Sequence, residues 1–276
     1  MSGKVEGKEY LSNSMGCGSN WKIIETGQAV YFWDGYNKML CALTEGIKML
    51  SEEKGMHSGA QNVDSSWMHL MFDRRNSSMM VVSPIVALVY GEKIDGFESF
   101  MDYEGTYDII NVQEKTLLIH KKNDSAGMES WSLYEMNGGE YNKFFGLYKD
   151  YWVDLFVGGS PTDKVFDNIE FRGDLLTDGD ELATKACPFN TIRAYNEYQD
   201  SGERVLTFEQ YSLSNLKNRF RTWDCYVPRN RSSKLGRIPE RMRNPWCHIL
   251  LKMKQDELQP EDRLAMIQDI NVFFTE

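Results

Sequence analysis

Short runs of aromatic and β-branched residues, broken by Gly, Asn and Asp, dominate the chain from Trp21 onward. That pattern predicts strands. Trp21-Lys-Ile-Ile-Glu is one run. Ala29-Val-Tyr-Phe-Trp is the next, and Asp34-Gly-Tyr-Asn-Lys separates it from Met39-Leu-Cys-Ala-Leu. Apolar run, Asp/Gly/Asn turn, apolar run is a hairpin pattern. It returns at His69-Leu-Met-Phe, Asp73-Arg-Arg-Asn-Ser-Ser and Met79-Met-Val-Val. Both copies share aromatic-Asp-x-x-Asn, at Trp33-Asp34 with Asn37 and at Phe72-Asp73 with Asn76, 39 residues apart. Asp and Asn suit such turns because their side chains bond the local backbone and tolerate left-handed geometry. One more step of 39 reaches Val112, where Ile109-Ile-Asn-Val, Gln113-Glu-Lys and Thr116-Leu-Leu-Ile repeat strand–turn–strand without the Asp and Asn. A period of about 40 with several strands per unit is the signature of propeller blades. A sandwich or open sheet is the alternative. Three units fall short of the roughly four to eight blades that close a propeller. Further blades would have to come from later segments, from another chain, or from a longer protein.

Helix signals are few. Leu43 to Leu50 is predicted as a turn or two of helix ending in Ser51-Glu-Glu-Lys, and Ser212 to Phe220 as the start of a short helix capped by Ser214. Glu261 to Asp269, after Pro260, reads as either a helix or a charged hairpin tip. Residues 173–186, rich in Gly, Asp and Thr, read as a loop. The last hundred residues otherwise carry longer strands: Lys164-Val-Phe-Asp-Asn-Ile-Glu-Phe-Arg, Phe189 to Tyr198, Phe220 to Arg229, Trp246 to Met253 expected to pair with it, and Ile267 to Phe274. Strands of that length with long connections suit a β-sandwich. The expected fold is all-β. An N-terminal arm (1–20) precedes propeller-like repeated hairpin blades (21–160), and a β-sandwich-like C-terminal region with a basic loop follows (161–276).

Composition narrows the function classes. The 276 residues are 41% hydrophobic and 26% charged, which suits a folded chain with a real core. Aromatics at 13%, with seven Trp, predict broad ring-packed surfaces within the chain or between chains. The net charge of −10 excludes a non-specific DNA-coating protein, which needs a basic footprint. The longest apolar run, Met79 to Tyr90, is interrupted by Ser83 and Pro84 and falls well short of the roughly 20 residues of a membrane span. The N-terminus has neither an apolar core nor a cleavage signature, so no secretory signal is expected.

Catalytic and metal motifs find no support. Cys17, Cys41, Cys187, Cys225 and Cys247 are odd in number and scattered, and they read as free thiols. Cys225 with Cys247-His248 is the closest approach to a metal cluster, without a C-x-x-C beside it. None of His57, His69, His120 and His248 sits in H-E-x-x-H, and no G-x-S-x-G elbow or phosphate-binding glycine loop is present. The chain is expected to be no enzyme and to carry no cofactor or metal.

One segment departs from the acidic background. Between Lys217 and Arg243 lie nine bases, seven of them Arg, against Asp224 and Glu240. The segment thus carries +7 and leaves −17 for the rest. Arginine favours forked bonds to carboxylates or phosphates. A solvated loop, a clamp onto an acidic neighbouring subunit, and contact with nucleic acid are the three readings. The clamp names Arg219, Arg221, Arg229, Arg231, Arg237, Arg241 and Arg243, with Trp223 and Trp246 as its apolar anchors.

Phe97-Glu-Ser-Phe-Met-Asp-Tyr, Glu140-Tyr-Asn-Lys-Phe-Phe-Gly, Lys164-Val-Phe-Asp-Asn-Ile-Glu-Phe-Arg, Phe220-Arg-Thr-Trp and Arg243-Asn-Pro-Trp, with Gly55-Met-His-Ser, occur in an order that resembles the C-terminal part of the tail muzzle (stabilization) proteins of crAss-like bacteriophages. Those proteins are much longer. The resemblance implies a structural virion component at the end of a short tail, assembled in the host bacterial cytoplasm. It would close the tail end and retain packaged DNA until ejection. Its implied partners are other copies of itself or the rest of the muzzle, other tail proteins, and packaged DNA, with no membrane. A carbohydrate-binding or hydrolytic β-propeller protein is the alternative from a different class.

Overall fold

The computed structural model describes residues 12, 14–18, 22–64, 68–83, 86–101, 103, 106–112, 115–123, 127–136, 138–159, 161–177, 181–182, 186–208, 216–231, 239–255 and 263–275. It is almost entirely antiparallel β, and the chain divides into two compact units, Met1–Gly138 and Gly139–Glu276. Among the described residues no helix is long and apolar enough to cross a membrane.

The first unit opens with two four-stranded meanders. One is β1 (Ile23–Glu25), β2 (Val30–Asp34), β3 (Met39–Leu43) and β4 (Ile47–Met49). Two short helices, α1 (Leu50–Glu53) and α2 (His57–Gln61), lead to β5 (His69–Asp73), β6 (Ser78–Val82), β7 (Ala87–Gly91) and β8 (Gly96–Met101), the second meander. β2 and β5, like β3 and β6, match residue for residue at the 39-residue offset. The strand alternation explains the packing. Tyr31, Trp33, Leu40 and Ala42 from one sheet meet Leu70, Met79, Val81, Leu88 and Tyr90 from the other in one core. Phe32, Met39 and Cys41 point to the opposite face and pack with Leu43, Ile47 and Met49.

Both turns are built alike. Asp34 is buried beneath its turn; its Oδ1 accepts from the Tyr36 and Asn37 amides at 2.9 and 3.1 Å, and its Oδ2 from Asn37 Nδ2 at 2.8 Å. Asp73 accepts from the Arg75 amide at 3.0 Å and from Asn76 Nδ2 at 2.7 Å. The residue after each Asn, Lys38 or Ser77, is left-handed, with φ 52° and 58°. Local bonding by the Asp side chain offsets the cost of that geometry. The predicted third hairpin is present as β9 (Thr106–Val112) and β10 (Lys115–Asn123), joined by β11 (Glu129–Glu135) in a three-stranded sheet. No closed propeller or barrel occurs among the described residues.

The second unit begins with a small hairpin, β12 (Lys143–Phe144) and β13 (Leu147–Tyr148), and then packs two sheets around one core. Its strands are β14 (Tyr151–Val157), β15 (Lys164–Thr177), β16 (Glu181–Leu182), β17 (Thr191–Tyr195), β18 (Arg204–Val205), β19 (Lys217–Arg219), β20 (Thr222–Tyr226), β21 (Met242–Asn244), β22 (Cys247–Met253) and β23 (Arg263–Thr275). One sheet runs β14-β22-β17-β18; the other is organised around β15, with β20 and β19 on one side and β23 on the other. Phe166, Ile169, Phe171, Trp223 and Cys225 from the second sheet meet Ile192, Ala194, Cys247, Ile249 and Leu251 from the first.

Several expectations give way to tertiary pairing. Ile47–Met49 is strand, because Met49 pairs with Cys41 and extends its apolar face; helix begins only at Leu50. Lys217–Arg219 is strand, while residues 209–215, including Ser214, lie outside the described residues. Arg263 to Asp269 belongs to β23, paired along its length with β15. The same pairing carries β15 through Gly173 to Thr177, where a loop was expected. Gly173 is needed there, since a Cβ would meet Ile267 Cδ1 at 2.9 Å and the Met266 carbonyl at 3.1 Å. β22 does not pair with β20: it lies between β14 and β17, and the two strands belong to opposite sheets of the sandwich.

Candidate assembly surface

Among the described residues the basic segment divides into two groups. β20 runs antiparallel to β15, with Thr222 opposite Arg172 and Tyr226 opposite Asn168. Arg219 and Arg221 therefore stand at the tip of the β19–β20 hairpin. Arg229 and Arg231 follow the other end of β20, and Arg241 and Arg243 flank Met242 on β21, which pairs β15 at its start. Trp223 is 1% exposed and fills the sandwich core between the sheets, so it offers nothing to a surface. Arg237, like Lys234, lies outside the described residues.

The second group is gathered by the loop after β17. Asn196 Oδ1 accepts from the Tyr198 and Gln199 amides at 2.9 and 2.8 Å, which folds residues 196–199 into a tight turn. Gln199 then bridges Arg241 and Arg243: its Nε2 donates to the Arg241 carbonyl at 3.1 Å, and its Oε1 accepts from the Arg243 amide at 2.7 Å. The Arg231 amide donates to the Asp200 carbonyl at 2.9 Å, and the Asp200 amide to Asn230 Oδ1 at 3.1 Å. Arg193 holds Asp200 with both arms of its fork, at 3.0 and 2.5 Å. That guanidinium holds the Asp200 carboxyl below the usual aspartate range.

Beside this loop the outer face of the first sheet carries rings in register. Cross-strand pairing places Phe156, His248 and Tyr195 in one row, and Asp154, Leu250 and Arg193 in the next. The Tyr195 ring lies parallel to the His248 imidazole at 4.9 Å, and the Arg193 guanidinium sits 5.0 Å over Tyr195. Phe156 meets the edge of His248 at 5.3 Å and stacks on Trp246 at 5.9 Å. Asp154 ties the row from beneath: Oδ2 accepts from the Tyr195 hydroxyl and Oδ1 contacts His248 Nδ1, both at 3.1 Å. One row further along, Trp152 is 59% exposed, with the Lys252 ammonium over its ring.

His248 and Asp154 are spent on orienting the stack, and the nearest thiol, Cys247, points into the core, where burial pushes it up to about 12. Stacked aromatics beside forked arginines are the composition of interface anchors. Among the expected residues, Arg231, Arg241, Arg243 and Trp246 come together here; Arg229 leans on the Pro239 carbonyl at 3.4 Å. Phe156, Tyr195, His248, Asp154 and Arg193 escaped sequence reading because they meet only across three strands. Their signal was the alternation in Tyr-Trp-Val-Asp-Leu-Phe-Val, whose inward Val and Leu leave Trp152, Asp154 and Phe156 on the solvent side.

Comparison with known proteins now places the chain. Residues 1–122 match the family model of the crassvirus muzzle protein, and residues 139–230 match that of the crassvirus muzzle protein C-terminal domain. Over 260 residues the chain is 31% identical to the muzzle protein of Bacteroides phage crAss001, covering 91% of this chain and 18% of that protein. It thus spans less than a fifth of that relative's length. The chain belongs to the crassvirus muzzle protein family.

Proposed function

We propose that this chain is a structural part of a short phage tail's muzzle, a virion component that helps close the tail end and hold packaged DNA until ejection. It does so by assembling with copies of itself and with neighbouring tail proteins, and it needs no chemistry of its own. The observation that carries the reading, beside family membership, is the continuous surface from Trp246 and Phe156 through His248 and Tyr195 to Arg193, Arg231 and Arg243. Its rings are pre-packed, so little side-chain freedom is lost on docking. Its arginines face a partner of which a second copy is a natural example, since the chain outside the basic segment is strongly acidic. A head-to-tail contact of that kind closes into a ring by rotation. DNA is the weaker partner, because the chain carries a net charge of −10, which a phosphate backbone repels.

The two meanders fit the same reading. Each is a four-stranded antiparallel sheet, they share one core, and both faces of β6 and β7 are buried, as blades stacked in a propeller would be. We take the two meanders, β1–β4 and β5–β8, as blade-like repeats and the sandwich built from β14 to β23 as the region that docks.

The test is assembly. Phe156→Ser, Trp246→Ser and Arg231→Ser in one chain leave the inward face untouched, so the monomer should keep its β spectrum. In analytical ultracentrifugation the wild type should form discrete oligomers and the triple variant should sediment as monomer. Wild-type chain that stays monomeric at tens of micromolar, or a variant that assembles normally, refutes the proposal. A second reading rests on Trp152 and Phe156, two exposed rings on one strand face: such a platform suits a glycan. Glycan-array binding lost on Trp152→Ala would favour it.

A further inference from the structure

The β19–β20 hairpin ends in a two-residue turn, Phe220-Arg221, between paired Arg219 and Thr222. Both turn residues have positive φ, 50° and 68°. A type I′ two-residue turn has that geometry, and Asn-Gly is the sequence that adopts it without strain. For a bulky aromatic followed by an arginine it is an outlier, because Cβ crowds the carbonyl. The strained position carries the most exposed large apolar side chain among the described residues: Phe220 is 99% exposed. The root of the hairpin is fixed. Trp223, opposite Asn218, is buried in the core, and Arg221 reaches back to Asp174 at 3.5 Å. A rigid stem thus holds a bare ring in water at the cost of backbone strain, between the cationic residues Arg219 and Arg221. Strain of this kind persists where the surroundings hold it in place, and it concentrates at functional positions.

We propose that Phe220 is the anchor by which this chain docks into a second copy of itself. The choice of a second copy rests on the assembly reading above. It also rests on charge: the hairpin offers cations beside a ring, and a chain of net charge −10 offers carboxylates in return. A cleft that offers a ring beside a carboxylate lies at β1 and β5, where Phe72 and the exposed Glu25 line the wall with Thr26 and Gly27, and Arg74 stands on the same wall. Phe220 would pack on Phe72 while Arg219 meets Glu25. The hairpin joint is separate from the Trp246–Tyr195 surface, so a copy that uses both has two different contacts.

Phe220→Gly separates anchoring from folding. Glycine takes the left-handed geometry freely, so the variant should melt higher than wild type by about 2 °C or more. Its self-association should weaken by about tenfold or more, the scale of a lost interface anchor. Phe220→Trp should retain association. A photo-crosslinking phenylalanine at 220 should join two copies, with the adduct mapping to Glu25–Gly27 or Phe72. Assembly of Phe220→Gly at wild-type strength sinks the anchor. A crosslink to another site or to another protein sinks the second-copy docking, and steeply salt-dependent DNA binding lost in Phe220→Gly would transfer the ring to nucleic acid. Wild-type chain that never assembles removes the underlying assembly reading itself, which Phe220→Gly in an assembling chain does not touch.

Discussion

Asp34→Ala should cost this protein about 2 kcal/mol, and the structure says where the loss comes from. The carboxylate is buried and accepts three hydrogen bonds, two from the amides of Tyr36 and Asn37 and one from the Asn37 side chain. A hydrogen bond to a charged group contributes about 1.5–3 kcal/mol net, and an ordinary one about 1. The total stays below the sum of three, because Tyr36 is 93% exposed and its amide can turn to water. Asp34→Asn keeps an oxygen for the amides but sets an NH2 against Asn37 Nδ2, so it should cost about half as much. Asn37→Ala should couple to Asp34→Ala by about 0.5–1.5 kcal/mol in a double-mutant cycle. Asp73→Ala should behave like Asp34→Ala, and the two should add, since they sit in separate sheets. Urea unfolding gives the numbers as shifts in midpoint at constant slope. Native-state amide exchange should place the loss at β2–β3 or β5–β6. A cost under about 0.5 kcal/mol for Asp34→Ala, or Asp34 and Asn37 that add without coupling, would refute the turn as a stabilising unit.

Two further outcomes follow from buried and paired groups. Burial pushes the Cys41, Cys187 and Cys247 thiols up to about 12 and raises that of Cys225 as well, while Cys17 is exposed; Ellman's reagent at pH 8 should titrate one thiol in the native chain and five in denaturant, and a second fast thiol would contradict the packing. Arg193 lowers the folded pKa of Asp200 below its unfolded value, so the contribution of that pair is whole above the ordinary aspartate range near about 3.9 and is lost as pH falls through the lower folded pKa. Carbon-13 titration of Asp200 should give a midpoint below that of an unfolded peptide, and a midpoint at or above it would break the link between loop and arginine.

What the sequence makes legible here is local. Asp34, Asn37 and their copies at 73 and 76 form turns from residues within three of one another, so their side chains specify the geometry without help from the rest of the fold. The 39-residue offset is a sum of such local units and survives to the last residue of β3 and β6. Met49 is different. Its neighbours Ile47 and Leu50 suit a helix as well as a strand, and only Cys41, eight residues back, decides for strand. β23 is the extreme case: Glu261 to Asp269 reads as a charged, helix-compatible stretch, yet from Arg263 onward β15, some ninety residues earlier in the chain, imposes extension pair by pair.

The arginine segment shows why charge counted along a chain differs from charge placed in space. A strand running through a basic run carries its two ends apart, so β20 sends Arg219 and Arg221 to one end of the sandwich and Arg229 and Arg231 toward the other. The core residue between them, Trp223, is what makes the separation rigid, because burying it fixes the strand that joins the two groups. The tryptophan that looked like an interface anchor therefore acts one level lower. By seating β20 it presents two cationic sites on one rigid element, each joined by a different aromatic: Tyr195 with Trp246 at one end, and Phe220 at the other. A chain with one such site can pair. On the proposed assembly reading, a chain with two can extend pairing into a closed assembly, and loss of Trp223 would remove the element that seats both along with the fold of the sheet.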